Sequence, residues 1–284
     1  MFERIVSIDW SGAGVENERV SLRVAVWEQE TAGCRIVLPP ANGARNWQRS
    51  EAREYLAGIL GERKRTLIGM DFGFGLPWRA DQQVFETQGW RAMLKGVAWI
   101  YAAAGTARAA AQQINAIPRF EGHGPYRFDE CRTDYQFYLR NDVSYYRLTE
   151  LAAPQAISQW YLGSGGTVGF HTITGLSALD WLIGLREQNR LRFSVWPFEA
   201  VASDGHVLVE TYPAICPKCE DYGPCQGNDE RDAWKVLQML VQHNQNDTLA
   251  DFFDIPEQHF GRIPNVNFDA QFQFEGWIFG LRTG

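Results

Sequence analysis

The amino-acid sequence predicts an α/β fold built on a mixed β-sheet, flanked by helices and interrupted by a large, mostly helical insertion. Three observations predict it. Residues 4 to 38 hold three short apolar segments separated by polar turns, the pattern of an antiparallel meander. A helical segment and a fourth apolar strand follow, and a strand–helix–strand crossover returns the chain parallel to an earlier strand. Strand patterns and then a helix pattern recur after residue 190.

The first strand is RIVSIDW, an apolar run that reaches Asp9 and passes into a Ser11-Gly12 turn. VSLRVAVWE (20–28) and CRIVL (34–38) complete the meander. In NWQRSEAREYLAGIL (46–60), Trp47, Tyr55, Leu56, Ile59 and Leu60 mark one helical face. TLIGMDFG (66–73) is again an apolar strand that runs into a carboxylate, Asp71, and then a glycine-rich turn, GFGLP. The β-β-β-α-β layout therefore places Asp9 and Asp71 at the same end of neighbouring parallel strands. In open α/β sheets that end is where sites form. Residues 79 to 190 read as the insertion: helical at first, with a break near Gly105, then aromatic and polar over 118–148, then helical again over 175–189. LRFSVWPFE (191–199) and HVLVETYPA (206–214) read as two strands joined by a turn at ASDG. NDERDAWKVLQMLVQHN (228–244) is a helix with Asn228 or Asp229 as N-cap, and FEGWIFGL (274–281) closes the chain. With no internal repeat and no low-complexity linker, residues 1–284 are expected to form a single domain.

Composition narrows the function classes. The net charge of −7 argues against a protein that coats nucleic acid by bulk electrostatics, but not against a nuclease, whose metal-binding carboxylates are themselves acidic. No apolar run approaches the roughly 20 residues of a membrane helix, and the strand-like start shows no signal peptide, so a cytoplasmic protein is expected. Five cysteines without a secretory signal are expected to be reduced. Of the 27 basic residues only Lys64, Lys95, Lys218 and Lys235 are lysines. Arginine is the better bidentate phosphate ligand, although codon bias explains the ratio equally well.

Four acids sit at element boundaries: Asp9, Asp71, Glu210 in the apolar VLVETYP, and Asp232 near the start of a helix. A buried carboxylate is costly unless paired or metal-bound. Several brought together repel until one protonates or a cation enters. Hard oxygen donors favour Mg²⁺ or Mn²⁺, and two such ions roughly 4 Å apart promote phosphodiester cleavage. Each acid also has a structural alternative. Asp9 and Asp71 could organise turns, Glu210 could point outward from an edge strand, and Asp232 could favour the helix macrodipole.

The blocks SIDWSG, IGMDFGFGLPW, YRLTE, VGFHTITG, VWPFE, VETYPA, RDAWKVL and EGWIFGL resemble those of domain-of-unknown-function family 429, whose members are predicted RNase H-like nucleases. The resemblance runs from residue 5 to 281, with the Asp71 and ETYPA blocks the most specific. It implies an RNase H-like mixed sheet, and Asp9, Asp71, Glu210 and Asp232 as the acids that hold Mg²⁺ or Mn²⁺ for hydrolysis of RNA or DNA by an activated water. Near the last block Asp229 and Glu230 compete with Asp232, Glu199 competes with Glu210, and Glu275 is a further acid.

The insertion is the candidate substrate contact. Arg127, Arg132, Arg140 and Arg147 alternate with Tyr126, Phe128, Tyr135, Tyr138, Tyr145 and Tyr146. Arginine clamps phosphates and aromatic rings stack on bases, and a lid packed by its own aromatics is the structural alternative. His123 and His171 are expected to be structural. Cys216, Cys219 and Cys225 in CPKCEDYGPC carry a C-x₂-C spacing that suits structural zinc, with Cys131, His206 or another distant residue as fourth ligand; reduced free thiols are the alternative. GFGLP and GSGG (163–166) lack the lysine and Ser/Thr of a phosphate loop and read as turns. Two other functions fit the same pattern: an ATP-dependent phosphotransferase of the actin/sugar-kinase type, and a non-enzymatic metal- or ligand-binding regulator.

Overall fold

In the computed structural model, residues 1–121, 123–128, 136–153, 155–163, 168–219, 221–255 and 268–282 are described. The expected layout is present. Strand β1 (Arg4–Asp9) is followed by a two-residue strand β2 (Arg19–Val20), then β3 (Arg23–Glu28) and β4 (Gly33–Val37). A second two-residue strand, β5 (Trp47–Gln48), leads into α1 (Arg49–Leu60) and β6 (Thr66–Met70). The predicted second strand, 20–28, is thus split: β2 leaves the main sheet to pair with β5.

The insertion contributes α2 (Ala80–Gln83), α3 (Trp90–Ala104), α4 (Ala107–Asn115), α5 (Gln136–Asn141), α6 (Leu148–Ala152) and α7 (Val168–Glu187). Thr106 caps α4 by accepting the Ala109 N–H, and left-handed Gly105 makes the break before it. Strands β7 (Phe193–Val195) and β8 (His206–Glu210) follow, then α8 (Asn228–Gln245) and α9 (Phe268–Glu275). The N-cap of α8 is Gly227, one residue before the expected pair.

The main sheet has the order β4-β3-β1-β6-β8-β7. β1, β3 and β4 are antiparallel neighbours, while β1, β6, β8 and β7 run parallel. The last two strands are therefore not a hairpin. The residues between them carry the chain back to the start of the sheet, so Phe193 pairs with His206.

Both faces of the sheet are covered, which is why its central strands are nearly continuous apolar runs. Alternation along each strand decides which face a residue serves. Val6, Ile8, Val24, Val26, Ile68, Met70 and Leu208 face one core with α1, α3, α4 and α7. Ile5, Ala25, Trp27, Leu67, Val207 and Val209 face the other with α8 and the closing segment Trp277–Phe279. Helix α7 is long and apolar enough, by length and composition, to cross a membrane, exceeding the apolar length expected from the sequence. In this fold it is a core helix packed on α3. Helix α8 lies along β1 in the opposite direction. Its far end is fixed where the Asn244 carboxamide accepts the Phe2 N–H (2.8 Å) and donates to the Phe2 carbonyl (3.0 Å).

Candidate functional site

Register brings Asp9 and Asp71 together. Ile8 and Met70 are paired across β1 and β6, and the Asp71 N–H donates to the Ile8 carbonyl (2.9 Å), so the next residue on each strand is an aspartate. Alternation sends both side chains to the α8 face, with Ile5 and Leu67. Gly69 lets α8 come close: a Cβ there would meet Thr211 Cγ2 at 2.7 Å and Leu240 at 3.4 Å. The first two turns of α8 then present Asp229 and Asp232 to the pair.

The two carboxyls are half-buried and share a hydrogen bond. Burial, then the charges of Asp71, Asp229 and Asp232, push Asp9 up to about 9 against the opposing pull of Arg23. Burial, then Asp232 and Glu210, push Asp71 to about 8, while the hydrogen bond from Asp9 and the charge of Lys235 act the other way. At neutral pH the pair retains a proton, as two carboxyls too close to ionise together must. Lys235, which the sequence did not single out, lies 3.1 Å from Asp232.

The loop after Asp9 is fixed from behind. Arg49, fully buried at the start of α1, donates to the carbonyls of Ser11 (3.0 Å) and Ala13 (2.7 Å) and contacts Glu16 (3.3 Å). Gly12 is pressed onto α7, where a Cβ would fall 2.3 Å from the Phe170 carbonyl carbon. The turn after Asp71 is fixed by Thr172, which accepts the Gly73 N–H (3.2 Å).

Glu210 departs from the expected ligand set. It alternates with Val209 and so faces away from the aspartates. Both of its oxygens are engaged by Arg147 (2.8 and 2.6 Å), and one also accepts the Phe74 N–H (2.8 Å). Arg147 is correspondingly not a substrate clamp. Its side chain is 0 % exposed and also binds Glu150 (2.8 Å) and the Glu275 carbonyl (3.0 Å). Burial works against its charge, but Glu210 and Glu150 raise its pKa overall. Glu275 is a strut: its carboxyl accepts the N–H groups of Trp78 (2.6 Å) and Leu148 (2.8 Å) and the Gln271 amide (3.1 Å), and burial holds it at about 8.

Two of the competing acids, Glu199 and Glu230, are also occupied. Glu199 pairs with Arg186 through both oxygens (2.5 and 2.6 Å). Glu230 binds Arg45 (2.9 Å) and the Gln226 N–H (2.7 Å). Of the expected substrate contacts, Arg127 is half-buried with its guanidinium over the Tyr138 ring, Arg140 is exposed, and Tyr145 packs edge-on to Tyr138 and Tyr146. Arg132, Tyr135 and Cys131 lie outside the described residues. So does most of GSGG. His123 is exposed, and His171, held neutral by burial and Arg49, has its pKa lowered to about 4.

The cysteine loop adjoins the acids. Cys216 feels the charges of Lys235 and Asp71, and burial raises its thiol to about 12. Cys225 is raised to about 11 by burial and by Glu230, and donates to the Glu230 carbonyl (3.4 Å). His206 is not available as a zinc ligand: Nδ1 accepts the Thr66 N–H (3.2 Å), which leaves Nε2 to donate to the Glu62 carbonyl (3.1 Å). Among the described residues no group of three His, Cys, Asp or Glu side chains converges closely enough to hold a metal ion as it stands.

Beside Asp71 opens a small cleft of about 50 Å³, lined by Ile157, Thr211, Tyr212 and Ile278 together with Arg147, Glu150 and Glu210. The Thr211 hydroxyl is buried with no hydrogen-bond partner among the described residues. A larger cavity of about 400 Å³ lies at the other end of the sheet, around Phe2, Arg65, Leu249 and Phe253. Compared with protein-family models, with curated proteins and with solved structures, the chain matches none.

Proposed function

We infer that this protein is a metal-dependent nuclease on an RNase H-like sheet, cleaving phosphodiester bonds in RNA or DNA. One observation carries the reading: two aspartates end adjacent parallel strands, share a hydrogen bond that burial and their neighbours' charges favour, and face two more aspartates on the start of a helix. Carboxyls that hold a proton this far above their ordinary range are stabilised when a cation replaces it. The donors are hard oxygens, the type Mg²⁺ or Mn²⁺ prefers, and the carboxylates would have to draw together to hold an ion. The strand arrangement, three antiparallel and then parallel with the acids at one end, accords with the sequence resemblance; β7 is an added edge strand.

Asp9 and Asp71 would hold the metal and Asp232 would complete its shell. Glu210 instead fixes the position of the Asp71 turn through Phe74. A bound divalent ion supplies positive charge for the attacking water and the leaving oxygen. Tyr212 and Ile157, on the cleft wall, offer apolar surface to a base or sugar, and Arg140 offers charge from the insertion.

A thermal-shift titration tests this reading. Millimolar Mn²⁺ or Mg²⁺ is expected to raise Tm in the wild type by mass action and to leave Asp71→Asn unmoved. Labelled RNA and DNA oligonucleotides should be cut only by the wild type with metal. No stabilisation by either ion, with no cleavage, removes the reading; stabilisation by ATP in its place points to the phosphotransferase.

A further inference from the structure

We propose that the cavity at the end of the sheet opposite Asp9 and Asp71 is a binding site for a small carboxylic acid with an apolar body, its carboxylate held by Arg65. The site stands apart from the aspartates and does not depend on the nuclease reading.

The cavity is of ligand size and its walls are held from outside. At about 400 Å³ it falls in the range of small-molecule pockets, roughly 300–1,000 Å³. Phe2, Val201, Leu249, Ala250 and Phe253 give it apolar walls. The backbone of Phe2 is clamped by Asn244. The chain leaves α8 through left-handed Asp247 (φ 58°), and the Thr248 N–H donates to the His243 carbonyl (3.0 Å). That turn leads into the 3₁₀ segment Leu249–Phe253, which forms the opposite wall. Phe253 packs in turn on Trp196 (6.0 Å) and Phe279 (4.8 Å). The walls therefore stand in place before any ligand enters.

Arg65, just before β6, adds a positive charge to this lining. It is half-buried, with its guanidinium 4.2 Å from the centre of the Phe2 ring. Its Nε and Nη1 donate only to the carbonyls of Gly205 (3.4 Å) and Met1 (3.3 Å), both long. Among the described residues the side chain bonds no carboxylate, and Nη2 has no hydrogen-bond partner. A half-buried guanidinium in that state gains from a charge-assisted bond to an anion, and the apolar walls beside it suit the body of that anion. The other charges set how much negative charge fits. Asp247 on the lining and Asp204 next to Ser203 are both exposed acids. They repel a polyanion. A carboxylate carries a single charge, whereas a phosphate monoester carries nearly two near neutral pH, so the site favours the carboxylate.

Calorimetric titration with octanoate and cinnamate tests the proposal, with octanol and cinnamyl alcohol as neutral counterparts. Each acid should bind the wild type saturably and raise its Tm by mass action. Arg65→Met should weaken both acids about tenfold or more, as the loss of a charge-assisted hydrogen bond implies, and leave the alcohols unchanged. Ala250→Trp, at an exposed position on the wall, should shut out acids and alcohols alike; this arm does not need any variant of Arg65 to fold. Asp71→Asn, at the far end of the sheet, should bind both acids as the wild type does. Octyl phosphate should bind more weakly than octanoate, and tighter binding would overturn the assignment to a carboxylate. If neither acid binds the wild type, or if Arg65→Met and Ala250→Trp bind the acids as the wild type does, the proposal fails.

Discussion

At the scale of single residues, the site depends on which way each carboxylate points. Asp9 and Asp71 are raised because they are desolvated side by side; Glu275 is raised chiefly by burial and has its donors built in. The sign for stability follows. The folded state holds a proton on the pair that the unfolded chain releases near pH 4, so these groups cost stability progressively as pH rises from about 4 through about 8. Asp71→Asn removes the charge but keeps the shape. It is expected to stabilise the metal-free protein by on the order of 1–2 kcal/mol at pH 8, with the gain shrinking toward zero near pH 4. Urea titrations at the two pH values check this; an equal effect at both would mean that Asp71 is ionised in the fold. Asp9 and Asp71 were legible because each follows an apolar strand and precedes a turn. Glu210 was misread for a physical reason. On a strand buried on both faces every neighbour is apolar, so sequence gives no parity from which to tell its face. Arg147 misled similarly, since an arginine among tyrosines reads as a phosphate clamp until the nearby Glu150, the distant Glu210 and the Glu275 carbonyl close around it.

Elements were legible where periodicity and end signals agreed, as in β1, β6 and α8. They were not where tertiary pairing overrides local pattern. β2 is drawn away by β5, and β7 joins β8 in parallel because the intervening residues return along the sheet edge. Contacts between elements set a further expectation. Helix α7 passes over the Asp71 turn at Gly175, where a Cβ would fall 2.3 Å from the Phe72 ring. That ring is itself packed against Trp10 (5.5 Å) and Phe74 (5.0 Å), so it has nowhere to go. On an exposed helix Gly→Ala would gain up to about 1 kcal/mol; Gly175→Ala should instead cost about 2 kcal/mol by overpacking. Because Phe72 adjoins Asp71, the variant should also weaken metal-dependent stabilisation. Chemical denaturation, with and without Mn²⁺, reads both effects.

For the whole molecule, the insertion is not a separate body but the cover of one face of the sheet. Arg147 and Glu275 tie the insertion to β8, to the Phe74–Trp78 turn and to α9 from a buried position. Removing one partner of a buried charge network leaves the others unmatched. Arg147→Ala is therefore expected to cost about 3–5 kcal/mol and to loosen the insertion and the closing segment together. Hydrogen exchange should show protection lost in α6, α9 and β8 at once; loss confined to α6 would mean that the network does not couple them. This coupling was beyond reach of the sequence, since it joins residues more than 120 positions apart. One further property follows from the clamp of Asn244 on Phe2. It pins the first residues to the sheet end opposite Asp9, with Met1 left 61 % exposed. A tether attached ahead of Met1 therefore leaves the protein from its far side. Anchored to a sensor surface by that tether, the molecule would stand with its Asp9–Asp71 end facing the solution.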